Sequence, residues 1–318
     1  MVNLKIKSAI YGLLRNVNKI TSRLGFRIEV SNRTIRLAAP KFLSSISDKL
    51  NILDLGSESY TGDFDLTYKE LAKIDCARIY CVDGFSNDNL KNVANGKSKW
   101  VSLDDFVGDG KSHTFYQCNP QSGSGIFPPD EDLWAEIGFP HTVVKSFPVD
   151  TKTLDDLLSA DDKFDLIKMD IQGAEKMTLE ASPVTVKNAL VIQAEVDFIP
   201  LFKNTPLFAE VIQFFDKIGF KLFTFGGLGL LSIGDLKRYA HGGTSMFKSD
   251  YYYSRHLAYA LCVFIKKEYE CVEDAERAAR TMHCCYHAYD VAYSLLKEYG
   301  SPHAEKYASL MQGVGLKR

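Results

Sequence analysis

The chain has 318 residues, of which 46% are hydrophobic and 25% are charged, and its formal net charge is −2. This is an ordinary globular composition, and it lacks the basic footprint of a nucleic-acid-binding protein. The sequence has no apolar run near the ~18 residues of a membrane-spanning helix, and we expect no secretory signal. Seven scattered cysteines indicate reduced thiols rather than a disulfide framework, so we predict a cytoplasmic protein.

The first predicted element is a basic amphipathic helix. Residues 1–28 carry six Lys or Arg side chains and no acid. Apolar residues between Ile6 and Leu24 recur at gaps of three and four, which places them on one helix face. We favour packing of this face on the main domain or on a partner. The alternative is peripheral contact with an anionic membrane surface. We assign residues 1–48 to this helix and a linker.

From residue 51, short β-rich apolar runs alternate with helical stretches. The predicted helices are 174–181 and 207–218, the second with Gly219 as its C-cap. This alternation indicates βαβ units and a doubly wound, mainly parallel sheet, with its ligand beyond the carboxyl ends of the strands. The predicted strands are 51–55, 78–82, 99–103, 114–117, 143–149, 164–169, 190–196, 221–225 and 259–265.

Two glycine-rich segments interrupt this alternation. We predict that residues 119–140 and 226–253 are long loops of the kind that often cover binding sites. Beyond them, apolar residues recur at helical spacing over 272–299, and a shorter helix follows. The chain therefore divides into the N-terminal segment, an α/β domain over residues 49–267 and a C-terminal helical extension over residues 268–318.

The ends of the first two strands indicate a nucleoside site. Asp54 and Gly56 end the first strand, and a glycine there lets the backbone approach a ligand closely. Asp83 ends the second strand, where an acid can accept both hydroxyl hydrogens of a ribose. An ordinary glycine turn is the alternative. The GxGxxG pattern is missing, which disfavours a nicotinamide enzyme because a pyrophosphate would have no glycine cradle.

A second group of acids follows two later strands. In the segment DLIKMDIQGAE, a strand ends at Asp170, and Glu175 falls in the first turn of the next helix, where it also suits a helix cap. The next strand ends with Glu195 and Asp197. These acids form either a general base with a positioning group or a pair of oxygen ligands for Mg²⁺. Two carboxylates make a thin metal site, so we predict no metal.

Two groups of histidines are candidates for chemistry. His241 lies in the second glycine-rich segment and is an alternative to Asp170 as the base, because imidazole titrates near neutral pH. An exposed loop histidine is the other interpretation of His241. His283 and His287 share a predicted helix face, but no third ligand accompanies them, and we assign no metal there.

Four segments in order resemble the FkbM-like methyltransferases. They are VDTKTLDDL, DLIKMDIQGAE, IQAEVDFIPLFKNTPLF and the dipeptide Gly219-Phe220. The resemblance spans roughly residues 50–225 and the strand near 260. It implies a class I methyltransferase sheet of seven strands with an antiparallel last strand, and S-adenosylmethionine as the cofactor. The cofactor-binding residues that it implies are Asp54, Gly56, Ser57, Gly62, Asp83, Asp109 and Asp170.

The resemblance implies a function and leaves an alternative. We expect an S-adenosylmethionine-dependent O-methyltransferase that acts on a hydroxyl of a small molecule or of a sugar or glycan precursor. Its expected catalytic residues are Asp170, His241 and Glu195, and the sequence is compatible with an oligomer. The cofactor loop departs from the family pattern, because Gly56 and Gly62 are six positions apart and Glu58 lies between them. This departure supports the alternative, a non-catalytic binding or scaffolding module.

Overall fold

The computed structural model describes residues 49–56, 67–68, 71, 76–85, 99–231 and 256–313. Several predictions lie outside these residues, namely the N-terminal helix and linker, Ser57, Gly62 and His241. No helix within the described ranges has the length and apolar character needed to cross a bilayer.

A seven-stranded sheet forms the centre of the described structure. Its strand order is β3-β2-β1-β6-β7-β9-β8. Strands β1, β2, β3, β6 and β7 run parallel, and β9 is antiparallel to both of its neighbours. The predicted mainly parallel sheet with an antiparallel last strand is therefore confirmed. The strands are β1 Leu50–Leu55, β2 Ala77–Val82, β3 Lys99–Leu103, β4 Ser112–Asn119, β5 Thr142–Asp150, β6 Leu166–Met169, β7 Val191–Asp197, β8 Phe220–Leu231 and β9 His256–Lys266.

Strands β4 and β5 form a separate antiparallel pair. The connection between these strands, residues 120–141, contains short helical elements. The prediction of a long loop over 119–140 is therefore partly wrong. This segment contains a short 3-10 helix, Gln121–Gly123, and the helix α1, Glu131–Glu136. Asp130 caps α1 by accepting a hydrogen bond from the Leu133 amide at 3.1 Å.

The predicted helices over 174–181 and 207–218 are confirmed at Glu175–Glu180 and Phe208–Lys217, whereas the short helices over 154–157 and 183–187 were not predicted. Another difference lies near the C-terminus. The predicted stretch 272–299 is divided at His287, whose left-handed φ of 55° ends the first of two helices. Gly219 takes the expected C-cap conformation with a φ of +86°. The remaining helices are α2 Leu154–Leu157, α3 Glu175–Glu180, α4 Pro183–Lys187, α5 Phe208–Lys217, α6 Val272–Tyr286, α7 Tyr289–Glu298 and α8 Ala304–Gly313.

Helices α6 to α8 form one of the two layers that bury the sheet. Side chains that point to this face, such as Ile52 and Leu166, share a core with Ala278 and Ala279 of α6. The opposite face of the sheet packs on α5. There the Phe215 ring stacks on the Phe264 ring of β9 at 3.6 Å between centroids. The C-terminal helices thus supply apolar surface that the sheet requires, because a parallel sheet is stable when both faces are covered.

A buried ion pair joins α6 to the start of β6. The Arg277 guanidinium donates to both carboxylate oxygens of Asp165 at 2.8 and 2.6 Å. The Asn51 amide donates to the same carboxylate at 2.6 Å, so the pair also holds the start of β1. Two parallel charge-assisted hydrogen bonds fix both distance and orientation.

Removing one partner of this pair leaves a buried charge without compensation. We predict that Arg277→Met lowers the free energy of unfolding by about 3–5 kcal/mol, measured by urea denaturation. The control is Lys176→Met, which breaks an exposed i,i+4 pair with Glu180 and is expected to cost about 0.5 kcal/mol. Equal losses in the two variants would contradict the structural role of the Arg277–Asp165 pair.

His283 gives the C-terminal layer a pH-dependent stability. Its ring is buried, and Nδ1 lies 2.7 Å from the Tyr307 hydroxyl. Burial, with a smaller effect from His287, lowers the pKa of His283 to about 4. In the unfolded chain a histidine binds its proton near pH 6.5. The contribution of His283 to stability is therefore present above pH 6.5 and is lost as the pH falls towards 4.

The variant His283→Gln removes this titration. We predict that the wild type loses up to about 3 kcal/mol more stability than His283→Gln between pH 7 and pH 4, measured by urea denaturation at each pH. His256→Gln, at an exposed position on β9, should follow the wild-type profile. Parallel profiles for wild type and His283→Gln would show that His283 does not carry this dependence.

Candidate functional site

One cleft lies at the carboxyl ends of β1, β2, β3 and β6, where a doubly wound sheet binds its ligand. The 3-10 helix after β4 closes another side of it. The side chains and backbone that line it include Gly56, Asp83, Asp105, Ser122, Asp170 and Gln172. The structure thus brings together three of the predicted site residues, Gly56, Asp83 and Asp170.

Gly56 lets the ends of β1 and β6 approach each other. Its amide donates to the Val82 carbonyl at 3.1 Å, and the Asp170 amide donates to the Leu55 carbonyl at 3.1 Å. Gly56 has a φ of +77°, and a Cβ at this position would lie 1.9 Å from the Asp170 carbonyl oxygen. Only glycine fits both the left-handed backbone and this contact.

Asp83 lies at the end of β2, as predicted. Its amide donates to the Leu103 carbonyl at 3.1 Å, and its carboxylate accepts a hydrogen bond from the Phe85 amide at 2.9 Å. Burial raises the pKa of Asp83, and the charges of Asp54 and Asp104 act in the same direction, while the Phe85 hydrogen bond opposes them. Asp83 lines the cleft, and its binding of a ribose stays a prediction.

An aromatic wall adjoins Asp83. The rings of Phe85, Phe106 and Phe115 lie 5.1–5.5 Å apart between centroids. The rings meet at interplanar angles of 58–81°, so the wall is apolar and the exposed face of one ring can pack on a nucleobase. These rings were not predicted, because no spacing pattern in the sequence marks them.

Asp105 is a second cleft residue that the sequence reasoning missed. It lines the cleft, and its carboxylate pairs with the Lys152 ammonium at 2.8 Å. Its place just beyond the end of β3 could have identified it, because Asp83 also lies just beyond the end of its strand, β2.

Asp54 lies below the cleft, although it was predicted to bind the cofactor. Its carboxylate is fully buried, accepts a hydrogen bond from the Tyr68 hydroxyl and pairs with the Lys168 ammonium at 3.0 Å. Burial opposes the charged amine of Lys168, but the carboxylates of Asp54 and Asp170 outweigh it and raise the pKa of Lys168. Asp54 therefore supports the sheet beneath the site.

Asp109 also lies apart from the described residues that line the cleft. Its carboxylate contacts His113 Nε2 at 2.7 Å and Lys111 Nζ at 2.8 Å. Burial acts to raise its pKa, but these hydrogen bonds dominate and lower the pKa of Asp109 to about 2. The carboxylate thus serves the turn before β4, which is a different place from the one that the resemblance implied.

Four acids meet beyond the ends of β6 and β7. Glu175 accepts a hydrogen bond from the Ile171 amide at 2.9 Å, and burial raises the pKa of Glu175 to about 7. Burial, together with the charge of Glu175, raises the pKa of Asp197 to about 8. Burial and the nearby charge of Asp170 raise the pKa of Glu195 well above its usual range. With a pKa of about 8, Asp197 is mostly protonated at neutral pH and can donate a hydrogen bond, and the raised pKa of Glu195 favours its protonated form.

The loop after β6 orients Asp170. Gln172 has a left-handed φ of 54°, unusual for a residue with a side chain, and its amide nitrogen donates to Asp170 Oδ1 at 2.7 Å. Glu175 holds the same loop through the Ile171 amide. The helix-cap interpretation of Glu175 is consistent with this contact, and Asp170 is left facing the cleft.

Metal coordination has no assembled site in the described part of the chain. In residues 49–56, 67–68, 71, 76–85, 99–231 and 256–313, no three His, Cys, Asp or Glu side chains are grouped to hold a metal ion. His283, one of the two histidines considered for a metal, instead contacts the Tyr307 hydroxyl.

Comparison with protein families identifies the domain. Residues 81–222 match the family model described as the methyltransferase FkbM domain. The match includes Asp83, the hairpin, both acid-bearing strands and α5. The family model thus confirms the sequence resemblance over residues 81–222, a little under half of the chain.

Comparisons with whole proteins add little to this assignment. No curated protein matches the chain. A Burkholderia thailandensis 1,6-didemethyltoxoflavin-N1-methyltransferase, solved with 1,6-didemethyltoxoflavin and S-adenosylhomocysteine, is 10% identical over 82% of this chain and 90% of its own, with a TM-score of 0.31. A duf574 family protein from Streptomyces avermitilis is 12% identical over 73% of this chain and 80% of its own, with a TM-score of 0.30. Likenesses this low carry no argument, and the fold assignment rests on the strand order.

The contact at Gly56 is open to a matched test. We predict that Gly56→Ala lowers the free energy of unfolding by about 1–3 kcal/mol more than Gly219→Ala, measured by urea denaturation. Both glycines have a positive φ, so both variants carry the left-handed penalty of roughly 1–2 kcal/mol. A Cβ at Gly219 meets nothing within 4 Å, whereas at Gly56 it meets the Asp170 carbonyl. Equal losses would show that the approach of β1 to β6 is not constrained at this point.

Proposed function

We propose that this protein is an S-adenosylmethionine-dependent O-methyltransferase. The observation that carries the proposal is the cleft itself. Gly56 lines the cleft at the end of β1, where a Cβ would meet the Asp170 carbonyl, and Asp83 lines it at the end of β2. Residues 81–222, which include Asp83, match the methyltransferase FkbM domain. These residues fit the nucleoside part of the cofactor.

The chain's own residues would hold each part of the cofactor. Asp83 would accept hydrogen bonds from the ribose hydroxyls, and the adenine would pack against the edge-to-face pair Phe85 and Phe106. The Gly56 backbone would face the methionine portion. When bound, S-adenosylmethionine supplies an electrophilic methyl carbon on a sulfonium.

The acids beyond β6 and β7 would hold the acceptor. Asp170, oriented by Gln172, would accept a hydrogen bond from a hydroxyl beside the one that is methylated. Burial and the charge of Asp170 favour the protonated form of Glu195, which would donate a hydrogen bond to a neighbouring oxygen. Alignment of the acceptor oxygen with the methyl carbon lowers the barrier by reducing the entropy lost on reaction. His241, the other predicted base, stays a prediction because it lies outside the described residues.

We propose a small molecule that carries several hydroxyls, such as a sugar or glycan precursor, as the acceptor. Several neighbouring carboxyl groups can pair with several hydroxyls at once. Phe198 directly follows Asp197, and its ring stacks on that of Phe208 at 4.4 Å between centroids, which offers an apolar surface beside these acids. A polar face and an apolar face together suit a sugar ring.

Calorimetric titration with S-adenosylmethionine tests the proposal. We predict micromolar binding to the wild type and at least tenfold weaker binding to Asp83→Ala, equivalent to about 1.4 kcal/mol. Asp109→Ala is the matched control. It removes the same group outside the described cleft lining and is expected to bind almost as the wild type does. Absence of binding to correctly folded wild-type protein would favour the non-catalytic module, for which the unusual spacing of Gly56 and Gly62 is the argument.

A further inference from the structure

A buried histidine lies behind the wall of the cleft, in a place that no sequence motif indicated. His141 starts the return to β5, and its Nε2 lies 3.3 Å from the Ser122 hydroxyl oxygen. Ser122 belongs to the 3-10 helix after β4 and lines the cleft. The serine hydroxyl therefore stands between the cleft and the imidazole.

The backbone determines which ring nitrogen carries the proton. His141 Nδ1 lies 2.8 Å from the Phe139 carbonyl oxygen, which can only accept a hydrogen bond. The neutral ring therefore carries its hydrogen on Nδ1 and leaves the lone pair of Nε2 to face Ser122. In this tautomer Ser122 donates to Nε2 and is free to accept a hydrogen bond from the cleft.

The ring is held rigidly in this orientation. Trp134 packs against it at 4.1 Å between centroids, and the Trp134 indole nitrogen donates to the Leu201 carbonyl at 3.0 Å. On the other side a Cβ at Gly123 would lie 2.2 Å from a ring carbon of His141. The glycine thus allows the serine-bearing turn to approach the imidazole.

The neighbouring serine has a different role. The Ser124 hydroxyl oxygen accepts a hydrogen bond from the Cys118 amide at 2.9 Å, which closes the turn onto β4. Both serines line the cleft, but only the Ser122 hydroxyl contacts a histidine among the described contacts. The two positions form a natural pair for a controlled comparison.

We propose that Ser122 and His141 form a proton relay that removes the proton from the acceptor hydroxyl. This inference rests on the proposed O-methyl transfer. Ser122 is its catalytic residue, because it faces the acceptor, and His141 acts through Ser122. Asp170, which also lines the cleft, holds a hydroxyl beside the one that reacts.

The relay balances in protons and electrons. The acceptor hydroxyl gives its proton to Ser122 Oγ while the proton of Ser122 moves to His141 Nε2. An electron pair of the acceptor oxygen forms the new bond to the methyl carbon, and the bond from that carbon to sulfur breaks with its electron pair retained by sulfur. His141 becomes an imidazolium, still donates from Nδ1 to the Phe139 carbonyl and then releases one proton to solvent.

The surroundings keep the imidazole neutral and basic. Burial lowers the pKa of His141, and the Phe139 hydrogen bond opposes this shift. Titratable groups on the elements around the ring are Cys118 of β4 and Asp130 and Glu131 of α1. The two carboxylates accept backbone hydrogen bonds from Leu133 at 3.1 Å and Val143 at 2.9 Å. A neutral imidazole near physiological pH is well suited to act as a general base.

Nuclear magnetic resonance of the full chain labelled with ¹⁵N-histidine tests the relay without any reaction. The His141 signals are assigned from their loss in His141→Gln. We expect a neutral ring with its hydrogen on Nδ1 at pH 7.5, and protonation of Nε2 only below pH 6.5. Ser122→Ala should shift the Nε2 resonance, and Ser124→Ala should leave it in place. A hydrogen on Nε2 at pH 7.5, or an Nε2 resonance unaffected by Ser122→Ala, would overturn the proposal.

Kinetics with S-adenosylmethionine and methyl α-D-glucopyranoside as the probe acceptor separate the relay from the proposed function. His141→Gln should bind S-adenosylmethionine as the wild type does but react about 10²–10⁴-fold more slowly and lose the acid limb of the pH–rate profile. Ser124→Ala should keep that limb. If His141→Gln retains the wild-type rate and limb, the relay is wrong while the methyltransferase stands.

Two further outcomes distinguish the hypotheses. If the folded wild type does not bind S-adenosylmethionine, the proposed function fails, and so does the relay as a step in methyl transfer. If the cofactor binds but the probe is not methylated, the resonance measurements decide whether the relay exists. They are the tautomer of His141 and the effect of Ser122→Ala on its Nε2 resonance.

Discussion

The close approach of two strand ends determines the geometry of the whole site. β1 and β6 are neighbours in the sheet, and the contact between Gly56 and the Asp170 carbonyl joins them where they end. Because no side chain separates the two backbones, the loop that starts at Asp170 turns directly over the end of β1. The cleft, the orientation of Asp170 by Gln172 and the position of the serine-bearing turn all follow from this contact.

Polarity increases along one face of the sheet towards that contact. At the start of the strands, the side chains on this face are apolar and share a core with the C-terminal helices. The next layer holds the buried Asp54–Lys168 pair, and beyond it lie Asp170 and Glu195. Glu195 is desolvated and lies near the charge of Asp170, so its pKa is raised well above its usual range. The ion pair Arg277–Asp165 anchors the opposite end of the same face.

Much of the fold could be predicted from the sequence, and the contacts within the site could not. Buried parallel strands are continuous apolar runs, so their positions and the acids at their ends follow from the chain alone. The position of Asp54 was misleading, because a carboxylate at a strand end can either bind a ligand or form a buried ion pair, as Asp54 does with Lys168. The pairing of β4 with β5, and with it the meeting of Ser122 and His141, depends on a hairpin that no local pattern specifies.

A crystal structure of the protein grown with S-adenosylhomocysteine would test the assignment of the cleft most directly. Our account predicts the ribose hydroxyls within hydrogen-bonding distance of the Asp83 carboxylate and the adenine against Phe85 and Phe106. The methionine portion should then lie beside Gly56, with its sulfur directed towards the space between Asp170 and Ser122. A ligand bound elsewhere, or no ligand at saturating concentration in crystals where this cleft is open to solvent, would contradict the account.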